Sequence, residues 1–145
     1  MTIKSAQVFL RRLGESTDST SVAGIGRCTI SKAPSPWTRR LQRGFSPAAV
    51  IAAQVSRSAR LPLRHALTIR PGPRQAGLGA AARRMSLRGR VRCRTPLHGR
   101  VLLVDDVTTT GATADACARE LLGAGATEVW LAVVCHRRPP TDDSA

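Results

Sequence analysis

Two adjacent carboxylates, Asp105 and Asp106, follow directly after the apolar residues 101–104 and precede a segment rich in Thr and Gly. The apolar run predicts a buried strand, and ligands bind at the carboxyl ends of the strands in open α/β sheets. A helix is predicted to begin at Thr113, so the backbone amides just before it are suited to bind an anion. Acids that hold hydroxyls next to amides that hold phosphate suggest a sugar phosphate. The residues of the predicted phosphate site are Thr109, Thr110, Gly111, Ala112 and Thr113.

The order of these features is specific: an apolar strand, two acids, three residues and then Thr-Gly-Ala-Thr at 110–113. This segment resembles the phosphoribosyl pyrophosphate (PRPP) signature of type I phosphoribosyltransferases and matches it at every defined position. Strand, acid pair, turn and helix start occur in the right order within residues 101–113. The signal is therefore much stronger than that of a lone Gly-rich turn.

Three further stretches extend the resemblance to the competence protein ComF family. Residues 40–45, Arg-Leu-Gln-Arg-Gly-Phe, resemble its basic Arg-Gly-Phe motif, and residues 75–78, Gln-Ala-Gly-Leu, resemble its Gln-x-Gly-Leu motif. Arg83 and Arg84, with Leu87 and Gly89, resemble the basic stretch that follows. The matches span roughly residues 36–135 and leave out the first 35. Many ComF-like chains carry a Cys-rich zinc segment, but this chain has no Cys-x-x-Cys pair.

The resemblance implies an α/β fold: a single type I phosphoribosyltransferase-like domain with a mostly parallel twisted sheet flanked by helices. We expect this domain at residues 36–138, after an unassigned segment and linker at 1–35 and before a disordered tail at 139–145. The resemblance also implies transfer of phosphoribosyl from PRPP to a nitrogenous acceptor, with Mg²⁺ on the pyrophosphate. Asp105 and Asp106 would act as the catalytic residues that hold the ribose hydroxyls, and residues 109–113 would bind the 5′-phosphate. A mobile loop at residues 74–90 would close over PRPP.

The charge distribution is one-sided. The formal net charge is +14, and residues 19–104 contain 17 Arg or Lys but no Asp or Glu. Such a field attracts polyanions, which offers an alternative function: a non-catalytic DNA-uptake module that binds single-stranded DNA or a helicase partner. Only two Phe and two Trp, with no Tyr, argue against a base-stacking platform, and a compositional bias toward Arg stays open. The candidate loop or polyanion contacts are Arg39, Arg40, Arg43, Arg83, Arg84 and Arg88.

The acid pair has two other interpretations. A response-regulator receiver also has an acid pair after its first strand, but it needs most of a domain afterwards, and only 39 residues follow Asp106. An ordinary strand-to-helix turn, with Thr113 as the N-cap and solvated acids, stays open.

Periodicity predicts the remaining elements. We expect an amphipathic helix at 1–12, a linker at 14–36, a helix at 47–60 whose face includes Val50 and Ile51, and a strand at 63–69. A helical turn at 80–85 and a short strand at 91–94 follow. The carboxyl third predicts a right-handed βαβ unit: the strand at 101–104, a helix at 113–124 and a strand buried on both faces at 129–135.

One departure from the family counts against catalysis. An earlier strand of these transferases leads into a pyrophosphate-binding loop, and ComF-like chains have an apolar Val-Pro-Val-Pro-like run there. This chain has Cys-Thr-Ile-Ser-Lys-Ala-Pro at residues 28–34. The strand is therefore expected to be replaced or lost, in a domain truncated or altered at its N-terminus. A third hypothesis, a degenerate inactive remnant, follows from this loss, because a core without its central strand is only marginally stable.

The cellular setting is predicted from absences in the sequence. There is no apolar run of 18 residues and no signal-peptide core, so we expect no membrane span and a cytoplasmic location. Four singly spaced cysteines agree with a reducing compartment. Cys117 and Cys135 are expected to be small core residues. A homodimer is also expected, since type I transferases often pair.

Overall fold

The computed structural model describes residues 9–12, 28–35, 44–72, 80–108 and 110–136. Within these ranges the elements, in chain order, are β1 (Phe9–Arg12), β2 (Cys28–Lys32), α1 (Pro47–Ala59), β3 (Leu67–Ile69), α2 (Ala80–Leu87), β4 (Val91–Cys93), β5 (Gly99–Thr108), α3 (Ala112–Gly123) and β6 (Ala126–His136).

The main sheet has four strands in the order β1-β6-β5-β2. Strands β2, β5 and β6 are parallel to one another, and β1 is antiparallel at the edge. A second sheet pairs β3 with β4 in antiparallel register. Helices α1 and α3 contact β5 from opposite faces. The predicted α/β architecture, a mostly parallel sheet flanked by helices, is confirmed.

Strand β5 lies at the centre of the molecule, and its residues 101–104 are completely buried. Val101 and Leu103 belong to the core that α3 covers, whereas Leu102 and Val104 belong to the core under α1. Side chains alternate between the two faces of a strand, so a continuous apolar run is needed where both faces are covered. The run in the sequence therefore predicted this strand correctly.

Strand β2 corrects the prediction that the strand at 28–34 is replaced or lost, and with it the prediction of a linker throughout 14–36. Its five residues pair with β5 in parallel, from Cys28 opposite Arg100 to Lys32 opposite Val104. Cys28 and Ile30 point into the core under α1, and Ile30 has no exposed surface. The strand lacks an apolar run, so its position depends on pairing with β5 and not on its own hydrophobicity.

The predicted helix at 1–12 is wrong for the last four of those residues, because Phe9–Arg12 forms β1. This strand pairs with β6, from Phe9 opposite Val133 to Arg12 opposite Trp130. A strand neighbour can override local helical periodicity when the segment is short. Residues 1–8 lie outside the described residues.

Helix α1 confirms the predicted helix at 47–60, with Pro47 in its first turn. Its buried face differs from the prediction: Ala48 and Ala52 are buried, whereas Val50 is 58% exposed. Small residues let the helix approach the sheet closely. After α1 the chain returns alongside β2, where Ile30 N donates to Pro62 O at 2.8 Å. This βαβ path puts the C-terminus of α1 at the amino edge of the sheet and its N-terminus at the carboxyl edge.

The other elements match the predictions in type but not always in length or burial. The strand predicted at 63–69 is confined to 67–69, and the helical turn predicted at 80–85 extends to Leu87. The strand predicted at 91–94 is observed at 91–93. Strand β6 exceeds its predicted bounds, and its end is not buried, because Val134 and Cys135 are exposed. The prediction that Cys135 is a core residue is wrong: it lies on the strand beyond the part that the helices cover.

Gly125 joins α3 to β6 in a conformation that only glycine adopts readily. Its φ is +109°, and a Cβ there would meet Leu97 O, which forces the backbone apart. We expect Gly125→Ala to lower the free energy of unfolding by on the order of 2–4 kcal/mol, from strain and clash together. Urea denaturation measures the change. The matched control is Gly123→Ala, where nothing lies within 4 Å and φ is not positive; equal destabilisation by both variants would contradict the steric explanation.

Candidate active site

The acid pair lies where β5 extends past its neighbour β2. The last paired residues of the two strands are Lys32 and Val104, and Ala33 N donates to Val104 O at 2.8 Å. Asp105 follows immediately and is paired only on the other side, with Val133 of β6. Both acids are half-buried. The pair therefore borders an open position at the carboxyl edge of a parallel sheet, as predicted, although β5 itself continues to Thr108.

Asp105 is in an environment that disfavours its charge. The pKa of its carboxyl is raised to about 7: burial is the largest cause, the side chain and charge of Asp106 add to the rise, and a hydrogen bond from the Asp106 backbone opposes it. In that hydrogen bond Asp106 N donates to Asp105 Oδ1 at 2.9 Å. Because the ordinary value is 3.8, this carboxyl changes charge near neutral pH in the ligand-free protein. A buried carboxyl with a pKa raised in this way is a candidate for a functional role.

The turn after the acids leads into the N-terminus of α3. Gly111 is the N-cap residue with φ of 75°, and the helix begins at Ala112, one residue earlier than predicted. The Thr110 hydroxyl oxygen accepts from Ala112 N at 3.4 Å. The first helical turn closes with Asp115 N donating to Gly111 O at 2.8 Å. Amides ahead of Asp115, including that of the half-buried Thr113, have no earlier helical carbonyl to bond and are directed out of the helix end.

The acids and the helix end therefore lie on one continuous segment, as the sequence predicted. Of the predicted phosphate residues, Thr110, Gly111, Ala112 and Thr113 lie at this turn, and Ala112 is buried. Thr109 lies outside the described residues. The interpretation as an ordinary strand-to-helix turn placed the N-cap at Thr113 and both acids in solvent, whereas the N-cap is Gly111 and both acids are half-buried.

Ser46 is a polar residue at the same edge that the sequence suggested only as a cap. It is the N-cap of α1 and is 8% exposed, but its side chain makes no capping hydrogen bond. Its hydroxyl oxygen is buried with no partner among the described residues. An unpaired buried hydroxyl is costly, and such groups often meet a ligand or water. The Ser-Pro pair at a predicted helix start was the only signal in the sequence.

The predicted basic contacts lie in two stretches of the chain, residues 39–43 and 83–88. Arg39, Arg40 and Arg43 lie outside the described residues. Arg83 and Arg84 lie in helix α2 and not on a loop, which corrects that prediction. The helix forms because Leu87, 6% exposed, packs in the core with α3.

Arg88 follows α2, and its side chain is exposed. Its backbone N donates to Met85 O at 3.1 Å, which extends the last turn of the helix. The segment 73–79, where the predicted closing loop would begin, lies outside the described residues.

A magnesium ion fits this donor set only in part. Two adjacent carboxylates supply the hard oxygens that Mg²⁺ prefers. No group of three or more His, Cys, Asp or Glu that could hold a metal exists among the described residues. Mg²⁺ is commonly bound by one or two carboxylates together with substrate phosphates. The site therefore fits a cation that arrives with a phosphorylated ligand and not one held by protein alone.

Cys117 lies beneath the site in helix α3 and has no exposed surface, which confirms it as a core residue. Burial raises the pKa of its thiol, and the charge of Asp105 raises it further. The thiol stays protonated and does not act as a nucleophile, since the thiolate is the reactive form.

Comparison with known proteins gives a likeness to solved structures. No family model matches the chain, and no curated protein matches it. Among solved structures, the chain is similar to the crystal structure of an orotate phosphoribosyltransferase from Aeropyrum pernix, with 18% sequence identity and a TM-score of 0.42. The match covers 77% of this chain and 62% of that one. A likeness at this level assigns neither a family nor an activity to this chain.

None of the described helices is long and apolar enough to cross a membrane.

Proposed function

We propose that this chain binds PRPP with Mg²⁺ and is a phosphoribosyltransferase-like protein of the ComF family. One observation carries the proposal: the acid pair, at the open carboxyl edge of β5, is followed on the same segment by the glycine-capped N-terminus of α3. The two ends of a ribose phosphate need these two kinds of group, hydroxyl acceptors and phosphate donors. The match of residues 101–113 to the PRPP signature supports the same ligand.

The acids act on the ribose ring. Carboxylate oxygens of Asp105 and Asp106 accept hydrogen bonds from the 2′- and 3′-hydroxyls, which are donors that suit ionised acids. When the bond from C1 to pyrophosphate breaks, positive charge develops on the ring. Nearby carboxylates stabilise that charge electrostatically without transferring a proton. A cation bound together with the ligand would favour the ionised form of Asp105.

The N-terminus of α3 holds the 5′-phosphate. Outward-directed amides and the helix dipole together favour a bound anion. Gly111 has no side chain to obstruct the phosphate, and the hydroxyls of Thr110 and Thr113 add further donors. Thr109 completes the predicted set.

The pyrophosphate leaves toward the N-terminus of α1. The β2–α1 crossover brings this helix end to the same sheet edge, and the buried hydroxyl of Ser46 lacks a partner there. Bound Mg²⁺ supplies charge neutralisation for the departing pyrophosphate. A nitrogenous nucleophile accepts the phosphoribosyl group. Arg39, Arg40 and Arg43 lie outside the described residues, and their contact with the ligand stays a prediction.

We expect PRPP with Mg²⁺ to raise the midpoint of thermal unfolding. A ligand at 100 times its dissociation constant adds about 2.7 kcal/mol to the free energy of unfolding by mass action. Differential scanning calorimetry with PRPP, ribose 5-phosphate and Mg²⁺ alone measures the shift. The shift should be largest with PRPP and Mg²⁺ together. An unchanged midpoint at millimolar PRPP would exclude the proposed site.

A second candidate function is the non-catalytic DNA-uptake module. The net charge of +14 favours it, as does the absence of acids from residues 19–104. On this hypothesis single-stranded DNA binds with a log affinity that falls with log salt at about −0.7 per phosphate neutralised. Titration at several salt concentrations, with Arg83, Arg84 and Arg88 replaced by Ala, distinguishes it from PRPP binding. A helicase partner, a homodimer and the cytoplasmic location stay predictions.

The third hypothesis, an inactive remnant, was based on a missing strand. Since β2 is present and pairs with β5 over its whole length, that reason no longer holds.

A further inference from the structure

A second concave site lies at the amino edge of the sheet. It has a volume of about 330 Å³ and is lined by Thr29, Arg64, Pro96, Leu97 and His98. Thr29 is near the start of β2, and His98 directly precedes β5. The acid pair is about 20 Å away, because β5 rises about 3.3 Å per residue from Gly99 to Asp105. We name these five residues the amino-edge cavity.

The polar groups of the amino-edge cavity are donors of positive or neutral character. They are the Thr29 hydroxyl, the Arg64 guanidinium and the His98 imidazole. None of these three side chains has a hydrogen bond or ion pair to another described residue, and no carboxylate lines the cavity. Glu128 pairs through Oε2 with Arg100 Nε at 3.4 Å and does not line the cavity. An arginine, a histidine and a hydroxyl, with no carboxylate among the described residues that line the cavity, favour an anion.

The backbone that carries these donors is fixed by the fold. Leu97 N donates to Ala124 O at 2.9 Å, and Leu97 O lies against Gly125, where a Cβ would not fit. Arg64 N donates to Ile30 O at 2.8 Å, which anchors the segment after α1 to β2. Both walls are therefore attached to the sheet. A fixed backbone lowers the part of the ordering cost of binding that comes from the main chain.

We propose that the amino-edge cavity binds the phosphate group of a small phosphate monoester. A guanidinium binds phosphate through paired N–H groups, and the hydroxyl and imidazole complete the coordination of its oxygens. The buried Leu97 and the neighbouring Pro96 form an apolar wall for the organic part of the ligand. The volume of about 330 Å³ is at the lower end of the range for small-molecule sites, which favours a small ligand. This site is separate from the acid pair and does not depend on the proposed transferase function.

The test uses inorganic phosphate as the probe and amide chemical shifts as the readout. We expect shifts at Thr29, Leu97 and His98 in the wild-type chain that saturate at millimolar phosphate. Arg64→Ala with His98→Ala should raise the dissociation constant at least tenfold. The control is Arg119→Ala, which removes one exposed arginine from α3 outside the cavity. It should leave the dissociation constant unchanged.

The outcome separates this site from the acid pair. Shifts confined to residues 111–113, or an unchanged dissociation constant in the double variant, would overturn the proposal. If the double variant does not fold, the wild-type shift map and Thr29→Val, which keeps the side-chain shape, decide the question. Replacing Asp105 and Asp106 by Asn should leave the shifts at Leu97 and His98 intact. A failure of PRPP binding and a failure of this proposal are thus observed independently.

Discussion

The double variant Asp105→Asn, Asp106→Asn should lose the stabilisation by PRPP and Mg²⁺. Each acid accepts a charge-assisted hydrogen bond from a ribose hydroxyl, and such bonds contribute about 1.5–3 kcal/mol. Loss of both weakens binding by roughly 10² to 10⁴-fold, since 1.4 kcal/mol is about tenfold. Isothermal titration calorimetry measures the affinity, and thermal unfolding without ligand measures the fold. The ligand-free variant should remain folded, because burial already disfavours the charge of Asp105.

The matched control for this variant is Glu128→Gln. It makes the same acid-to-amide change on β6, but at the end of the sheet where Glu128 pairs with Arg100. PRPP affinity should stay within about twofold of the wild type, because charges separated by more than a Debye length of ~8 Å are largely screened. Equal loss of affinity in both variants would mean that net charge and not the acid pair governs binding. Retained affinity in the double variant would mean that the acids do not touch the ligand.

The stability of the ligand-free protein should fall as pH rises through neutrality. The folded-state pKa of Asp105 is about 7, above its ordinary 3.8, so the folded chain holds a proton that the unfolded chain has released. The stabilisation is complete below pH 3.8 and is lost as pH rises through 7. At 1.36 kcal/mol per pKa unit, the rise from 3.8 to about 7 corresponds to a loss on the order of 4 kcal/mol. Urea denaturation at pH 5, 6, 7 and 8 measures it.

Single substitutions test the source of this pH dependence. Asp105→Asn is neutral at every pH and keeps an oxygen that accepts from Asp106 N, so its stability should vary little between pH 5 and pH 8. At pH 8 it should exceed that of the wild type. Asp106→Asn is the matched control and should retain most of the dependence, because burial is the largest cause of the shift at Asp105. A wild-type profile that is flat, or that rises over this range, would contradict a buried Asp105.

Local sequence patterns were enough to predict the order of elements from β5 into α3. Residues 101–104 are apolar without interruption, and only a strand covered on both faces requires that. The acids, the glycine and the helix periodicity follow within one stretch of chain, so local rules suffice to order them. The strand and the helix were predicted in the right order, but β5 extends to residues 99–108 and includes both acids, and the helix starts one residue earlier than predicted. Helix α1 was also predicted from its Ser-Pro start and its periodicity.

Two strands and the burial of two side chains depend on contacts between residues far apart in the chain. Strand β2 has an unremarkable composition, and it is a strand because β5 provides hydrogen-bond partners more than 60 residues away along the chain. The same kind of long-range pairing makes residues 9–12 a strand and not a helix. The orphan hydroxyl of Ser46 and the exposure of Cys135 depend on which neighbouring surfaces are covered. Sequence periodicity reports which face of an element is apolar but not how far its neighbours extend.

The charge state of Asp105 depends on both the local sequence and the packed structure. The residue type and its position after an apolar strand follow from the sequence, and these predicted an acid at the sheet edge. Its raised pKa arises from burial and from Asp106 together. The burial of Asp105 depends on the neighbouring strands. Pairing with β2 ends one residue before it, at Val104, whereas β6 continues alongside it. Desolvation is a sum over all neighbours in space, so only the packed structure determines it.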